Sequence, residues 1–424
     1  MVAITESPSG RLRNAVQECH ERVDRSDYRV AVANARLPLP RYASFLRALF
    51  VLHDGLEQLV ERSGAPKLRE AFTGDPSGRE RLERDLAQLQ TDKYGIDAAA
   101  LHALVLILQL RQLAHTPRGT ASMLGAIYVV YSSQLGGLAQ TGALSQRRDL
   151  QQGGLSYLQG LGVATARRLQ KLFALLDESL QDEAELAAAI EGARHTFAGF
   201  EAILAAVMAS SVRLAEALNF AAGAHPVPRD LREVHAALQA GEQSRNAFSY
   251  YEARYGERGR RFTRSDSAWL VTLSRMPEQE ALRQVAWLGR LLAARGMPRL
   301  LLERHLEVLH AQLAADLPAN RGDYQILQRA AHALAQERHA RLANARFEQL
   351  CGELESACCL QSSATPPIPA REAGVLLVAA VVDEACGVPQ AVESLCRWLT
   401  DSTRASQGFC TAVDHVLRTA RAAL

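Results

Sequence analysis

The sequence predicts an all-α protein, and three observations carry that reading. Apolar residues recur with a period near 3.6 along most of the 424 residues. Hydrophobic residues reach 48% while aromatic ones stay at 6%, with Ala and Leu dominant, a composition that favours helix over strand. No window alternates apolar and polar residues between turn signals, so no strand is predicted.

The elements follow in order. Ser7 before Pro8 supplies a cap and first-turn pair for a first helix, whose apolar stripe is Leu12, Val16, Cys19 and Val23. After the breaker Leu37-Pro-Leu-Pro40, a second stripe runs through Tyr42, Phe45, Leu46, Leu49, Leu52, Leu56 and Leu59. Further helices are expected near 79–92, 97–114, 119–139, 163–177, 184–208 and 209–222. Two prolines at 224–230 break the helical pattern, and all three Trp lie beyond that break. The expected organisation is therefore a domain over 1–224 and a second helical domain over 225–424, with a sub-boundary at the Pro-rich stretch 361–370.

Charge and cysteine usage narrow the function class. Lys plus Arg is 48 against 46 acidic residues, for a net charge of +2, and a dedicated nucleic-acid binder is usually far more basic. The start MVAITESPSG lacks the basic patch and apolar run of a secretory signal, and the most apolar stretch, Leu101–Leu110, is about half a bilayer span. The 7 Cys form no Cys-x-x-Cys pair, so free thiols in a reducing cytoplasm are expected and a zinc ribbon is not. No phosphate-binding loop, dinucleotide fingerprint or flavin motif is present.

Two segments carry candidate chemistry. His20 lies beside the apolar stripe of the first helix, with Asp24 one turn later on the same face. A carboxylate there accepts from one imidazole nitrogen and leaves the other for a metal; a half-buried structural histidine has the same spacing. The second is Gly125-Ala-Ile-Tyr-Val-Val-Tyr-Ser-Ser-Gln-Leu-Gly-Gly137, an apolar helix interrupted by Ser132, Ser133, Gly136 and Gly137. Interior glycines cost roughly 1 kcal/mol each relative to Ala, so the pair calls for a kink, a close helix crossing or a flat ligand against bare backbone.

Leu12-Arg-Asn-Ala-Val-Gln-Glu-Cys-His20-Glu-Arg-Val-Asp24 resembles the first helix of bacterial heme oxygenases, and the glycine-bearing run resembles that family's distal helix. Supporting pieces stand in the same order: Arg41–Leu46 with His53–Glu57, Gly153–Leu176, and Ala193–Phe200. The resemblance spans roughly residues 8–208. It implies heme held between the two helices, with His20 as iron ligand and Asp24 orienting it. Gly136 and Gly137 would let the distal backbone approach the ring. Arg13, Arg167, Arg168 and Lys171 would hold the propionates at the rim. The implied reaction is oxygen-dependent cleavage of heme to biliverdin, carbon monoxide and ferrous iron. Its electrons would come from a separate ferredoxin or flavoprotein reductase. The family usually has Glu-Gly-Ser or Gly-Asp where this chain has Tyr131-Ser132-Ser133. Ser132 thus replaces a glycine, adding a hydroxyl able to crowd the ring or hydrogen-bond oxygen. That change keeps open a member that binds heme or bilin without cleaving it.

A di-iron site of the kind some helical bundles host needs several Glu-x-x-His pairs, and only Glu307 with His310 fits that spacing. In the second half, Arg254, Arg258, Arg260, Arg261 and Arg264 crowd beside Tyr251, Tyr255, Phe262 and Trp269. Gly256 and Gly259 should break the helix there before a cap at Thr263 or Ser265. Guanidiniums beside aromatics suit an anionic ligand or acidic partner, or else pair with Glu252, Glu257 and Asp266. His305 with His310, and His332 with His339, read as structural or solvated pairs.

Overall fold

The computed structural model describes residues 7–72, 78–151, 153–159, 163–209, 214–223, 225–360 and 365–424. The side chains of 134–140, 163–165 and 360 fall outside that description. The chain forms two compact units, one reaching Leu218 and taking in Arg229–Leu231, the other made of Asn219–Pro228 and Arg232–Leu424. The described residues are overwhelmingly helical, and their one isolated bridge joins Gly95 to Asp230. No described helix is long and apolar enough to cross a membrane.

The first unit holds α1 (Pro8–Ala15), α2 (Gln17–Asp24), α3 (Asp27–Ala33), α4 (Leu39–Ser63), α5 (Pro66–Phe72) and α6 (Gly78–Gln88). It continues with α7 (Ala98–Ala114), α8 (Gly119–Ser145), α9 (Ser156–Gln159), α10 (Val163–Ser179), α11 (Glu183–Met208) and α12 (Leu214–Leu218). The long helices make its centre: α7 packs on α4 and α11, and α11 on α8. α7 suits that place because its residues Ala98–Leu110 are almost wholly apolar and mostly buried. Asp97 caps it through the Ala100 amide at 2.8 Å. α1 is pinned at the edge by the Ser9 amide donating to Asp177 of α10 (2.7 Å) and by Arg11 pairing with Glu183 (2.7 Å).

Three expectations need correction. The first helix is not continuous, because Val16 leaves helical geometry (φ −117, ψ 10) and separates α1 from α2. Of the helix expected over 209–222, the described residues form α12, with Ala209 extended before it (φ −62, ψ 141) and residues 210–213 outside the described set. The helix expected over 119–139, α8, runs on to Ser145.

The second unit holds α13 (Leu231–Ala247), α14 (Tyr250–Thr272), α15 (Glu278–Ala294), α16 (Arg299–Asp316) and α17 (Gln325–Arg341). Then come α18 (Asn344–Leu360), α19 (Ala370–Ala385), α20 (Ala391–Leu399) and α21 (Gln407–Ala422). One apolar cluster gathers Leu270, Val285, Leu306, Leu309 and Leu327. Another joins Leu350 and Leu354 of α18 to Leu376 and Leu377 of α19. The Pro-rich stretch between these two helices therefore links parts of one core; residues 361–364 of it lie outside the described set. All seven cysteines are free thiols, Cys351 buried in that core and Cys359 exposed.

α14 kinks at Gly256 (φ 48, ψ −142), a backbone region that glycine alone enters without strain, and runs straight through Gly259. Thr263 and Ser265 are thus interior residues and not caps, their hydroxyls donating to the carbonyls of Gly259 and Phe262, each at 3.0 Å.

Candidate functional site

α2 lies against α11, and Arg22 fastens the two by pairing with Glu201 at 3.0 Å. On this helix His20 Nδ1 stands 3.1 Å from Asp24 Oδ2, the pairing that the i,i+4 spacing predicts. The other Asp24 oxygen accepts from Arg29 Nη2 at 3.2 Å, so the carboxylate is held from two sides. The imidazole meets the buried ring of Phe197 edge-on, with centroids 6.1 Å apart. The His20 side chain is 42% exposed, and its Nε2 has no partner among the described residues. One nitrogen oriented by a carboxylate and the other open is the arrangement that metal-bound histidines adopt. The geometry fits an axial ligand for a heme iron.

Ser132 and Ser133 of α8 bond to the helix's own backbone. Ser132 Oγ donates to the Tyr128 carbonyl (2.7 Å), and Ser133 Oγ to that of Val130 (2.8 Å). Each hydroxyl hydrogen is thereby committed to the helix backbone, which leaves oxygen lone pairs and no donor for a ligand. Gly136 and Gly137 belong to α8, and their surroundings lie outside the described residues.

The basic candidates occupy neighbouring elements, since α1 packs on α10. Arg13 is exposed on α1, yet its charge reaches the buried phenol of Tyr128, whose pKa is raised chiefly by burial with Arg13 opposing. Tyr128 in turn lies 6.1 Å from the ring of Phe173 on α10. On that helix Arg167 and Lys171 are exposed, and Arg168 is half-buried with its pKa lowered by desolvation. The break at Val16 intervenes between Arg13 and His20, so their shared face is not that of one straight helix.

A further polar group sits within the same unit. His53 Nε2 is 3.0 Å from the Tyr157 hydroxyl, and burial holds its pKa down to about 4. Glu57, one turn on, has a buried Oε1 without a partner, and its carboxyl is pushed up to about 7 by desolvation. Arg79 pairs with Asp54 at 2.9 Å and reaches Glu57 only at 3.8 Å. Sequence reasoning placed His53–Glu57 on a helix without assigning them an environment. An ionisable pair at i,i+4 within an otherwise apolar stripe was the available signal.

Among its described residues the second unit gathers no competing metal centre. Glu307 pairs with Arg304 at 3.5 Å, and His310 Nε2 meets Gln325 at 3.3 Å. Among the described residues, no three His, Cys, Asp or Glu gather as metal ligands. His305 is buried between the hydroxyls of Ser244 (2.9 Å) and Ser267 (3.0 Å), while His332 and His339 are exposed.

The family model described as heme oxygenase matches residues 7–206. Among solved structures, the chain is similar to heme oxygenase-1 from the cyanobacterium Synechocystis sp. PCC6803 in complex with heme. That match has 14% identity and a TM-score of 0.42, covering 47% of this chain and 91% of the other. No curated protein matches the sequence.

Proposed function

We propose, on the premise that residues 7–206 are heme oxygenase-like, that the first unit binds heme and opens it with oxygen to biliverdin, carbon monoxide and ferrous iron. The observation that carries this reading is the His20 imidazole, tied through Nδ1 to Asp24 at 3.1 Å, with Nε2 unpartnered among the described residues. Heme, as substrate, supplies the iron and the ring that oxygen attacks, and electrons come from a separate ferredoxin or flavoprotein reductase.

The chain's own residues bind and orient. His20 Nε2 would take the iron, and the carboxylate of Asp24 fixes the plane of the imidazole ring. Arg29 holds the Asp24 carboxylate in place. Arg13, Arg167, Arg168 and Lys171 supply positive charge for the propionates, and Gly136 and Gly137 allow close approach of backbone. The oxygens of Ser132 and Ser133 accept hydrogen bonds from water. The second unit serves as an accessory domain, and the compartment is cytoplasmic.

The test is direct. Protein mixed with hemin, a reductant and air should lose its Soret band and gain biliverdin absorbance. An unchanged Soret band would reject turnover, and an unaltered heme spectrum in His20→Ala would remove that residue as ligand. One observation favours the second reading, a heme- or bilin-binding sensor: the hydroxyl hydrogens of Ser132 and Ser133 are both spent on α8 itself. Tight heme binding without oxygen consumption would select it.

A further inference from the structure

The arginine-rich stretch of α14 has no part in heme chemistry, and its packing against α13 is unusual in charge. Arg245 of α13 and Arg264 of α14 are both buried, at 5% exposure each. Burial chiefly lowers the Arg264 pKa; Glu257 and Glu242 oppose that, and the charges of Arg260 and Arg245 add to it. Burying a guanidinium is strongly unfavourable unless its donors are met. Here they are not. Arg245 Nε and Nη1, Arg264 Nε and Arg261 Nε are buried without hydrogen-bond partners.

Nearby carboxylates do not resolve the deficit. Arg260 draws Glu242 (3.1 Å), Glu252 (3.0 Å) and Glu257 (3.4 Å) to itself. Arg245 shares Glu252 through Nη2 alone, at 2.5 Å. Among the described residues, no carboxylate oxygen lies within 4.0 Å of the Arg264 guanidinium. Two glycines let backbone come close to Arg245. The kink at Gly256 turns its carbonyl to 3.4 Å from Arg245 Nη2. A β-carbon on Gly259 would come within 3.3 Å of Arg245 Nη1. α13 and α14 also cross closely at Gly241, where a β-carbon would touch Thr263 at 3.0 Å. Arg261 stacks on the exposed ring of Phe220 at 4.9 Å, at the edge of the group.

We propose that the second unit binds a small oxyanion between α13 and α14, held by the open donors of Arg245 and Arg264 with Arg261 at its rim. A phosphate, a sulfate or a carboxylate offers several acceptor oxygens on one small anion, able to accept from separate open donors of neighbouring guanidiniums. Glu252 and Glu257, each more than half exposed, can swing away from an entering anion. This site stands independently of the heme reading.

The experiment is calorimetric titration of the full chain with inorganic phosphate, sulfate and acetate at constant ionic strength, against a chloride baseline. The expected result is saturable binding of at least one of the three, weakened at least about tenfold by Arg264→Met. Preference for phosphate and sulfate assigns a tetrahedral anion, and preference for acetate a carboxylate. If Arg264→Met does not fold, Arg264→Lys keeps the charge, loses the fork and should bind about tenfold more weakly. Arg258→Gln, altering an exposed residue stacked on Phe262, should leave binding unchanged. No saturable binding of any anion, or undiminished binding by the Arg264 variants, overturns the proposal.

Discussion

Gly125 of α8 and Gly192 of α11 stand in reciprocal positions, each lying against a carbonyl of the opposite helix. A β-carbon on Gly125 would come 1.9 Å from the Ala189 oxygen, and one on Gly192 would come 1.9 Å from that of Ser122. Backbone cannot yield as a flexible side chain can, so this crossing sets how closely α8 approaches the rest of the first unit. Gly125→Ala should therefore lower stability by about 3 kcal/mol or prevent folding. Gly142→Ala, on the same helix with nothing within 4 Å, should be neutral or stabilising. Urea unfolding followed by far-ultraviolet circular dichroism compares the two.

The His20–Asp24 pair predicts a graded loss of heme affinity. Removing the orienting carboxylate by Asp24→Ala leaves the ligand but frees its ring, so hemin affinity should fall about tenfold to a hundredfold. His20→Ala should remove the axial ligation altogether and change the spectrum. Hemin titration followed in the Soret region distinguishes these. Equal affinity for the wild type and Asp24→Ala would show that the 3.1 Å contact does not position a ligand.

Most helices were legible because their apolar period is strong, and the candidate ligand was legible because i,i+4 is a local relation. Val16 gave no sign of its break, since a valine within an apolar stripe has the same pattern whether the helix bends or not. Gly256 and Gly259 were equally plausible breakers by composition. The backbone selected Gly256, while Gly259 stayed helical beneath Arg245. Arg29 and Phe197 complete the surroundings of His20 from α3 and from α11, and Arg245 reaches its group from α13. Such relations exist only once helices pack, and no spacing rule along the chain contains them.

Glu57 predicts a pH-dependent stability. Its carboxyl ordinarily titrates at 4.5 and in the fold at about 7, with desolvation the main cause. Below 4.5 both folded and unfolded forms are protonated and nothing is lost. As pH rises from 4.5 through 7, the unfolded state releases its proton first and the fold loses stability. Glu57→Gln should nearly match the wild type at pH 4.5 and exceed it by about 3 kcal/mol at pH 8. Urea midpoints across that range test it; a constant difference would contradict the burial of this group.

His305 predicts the opposite trend in the second unit. Its ordinary value of 6.5 falls to about 4 because it is buried, and both ring nitrogens bond serine hydroxyls. At pH 7.5 it is neutral in both states. As pH falls from 6.5 to 4, the unfolded state gains a proton that the fold resists, and stability drops. His305→Gln should cost about 1–2 kcal/mol at pH 7.5 through the lost hydrogen bonds. That deficit should shrink as the pH approaches 4. Tryptophan fluorescence reads this unit, because Trp269, Trp287 and Trp398 all lie in it.

Arg299 and Asp383 form the sharpest test of the buried polar core. Asp383, 3% exposed, accepts from the Arg299 amide at 2.8 Å and from its Nε at 2.7 Å, tying the start of α16 to α19. Glu337 takes the same guanidinium at 2.6 Å, but is itself half exposed. Asp383→Ala leaves a buried cation and a backbone donor facing an emptied site, and should cost about 3–5 kcal/mol. Replacing both partners, as Arg299→Met with Asp383→Leu, removes the stranded charge and should recover much of that loss. A double variant as unstable as Asp383→Ala would mean that the amide contact at the helix start, and not the ion pair, is what α19 contributes.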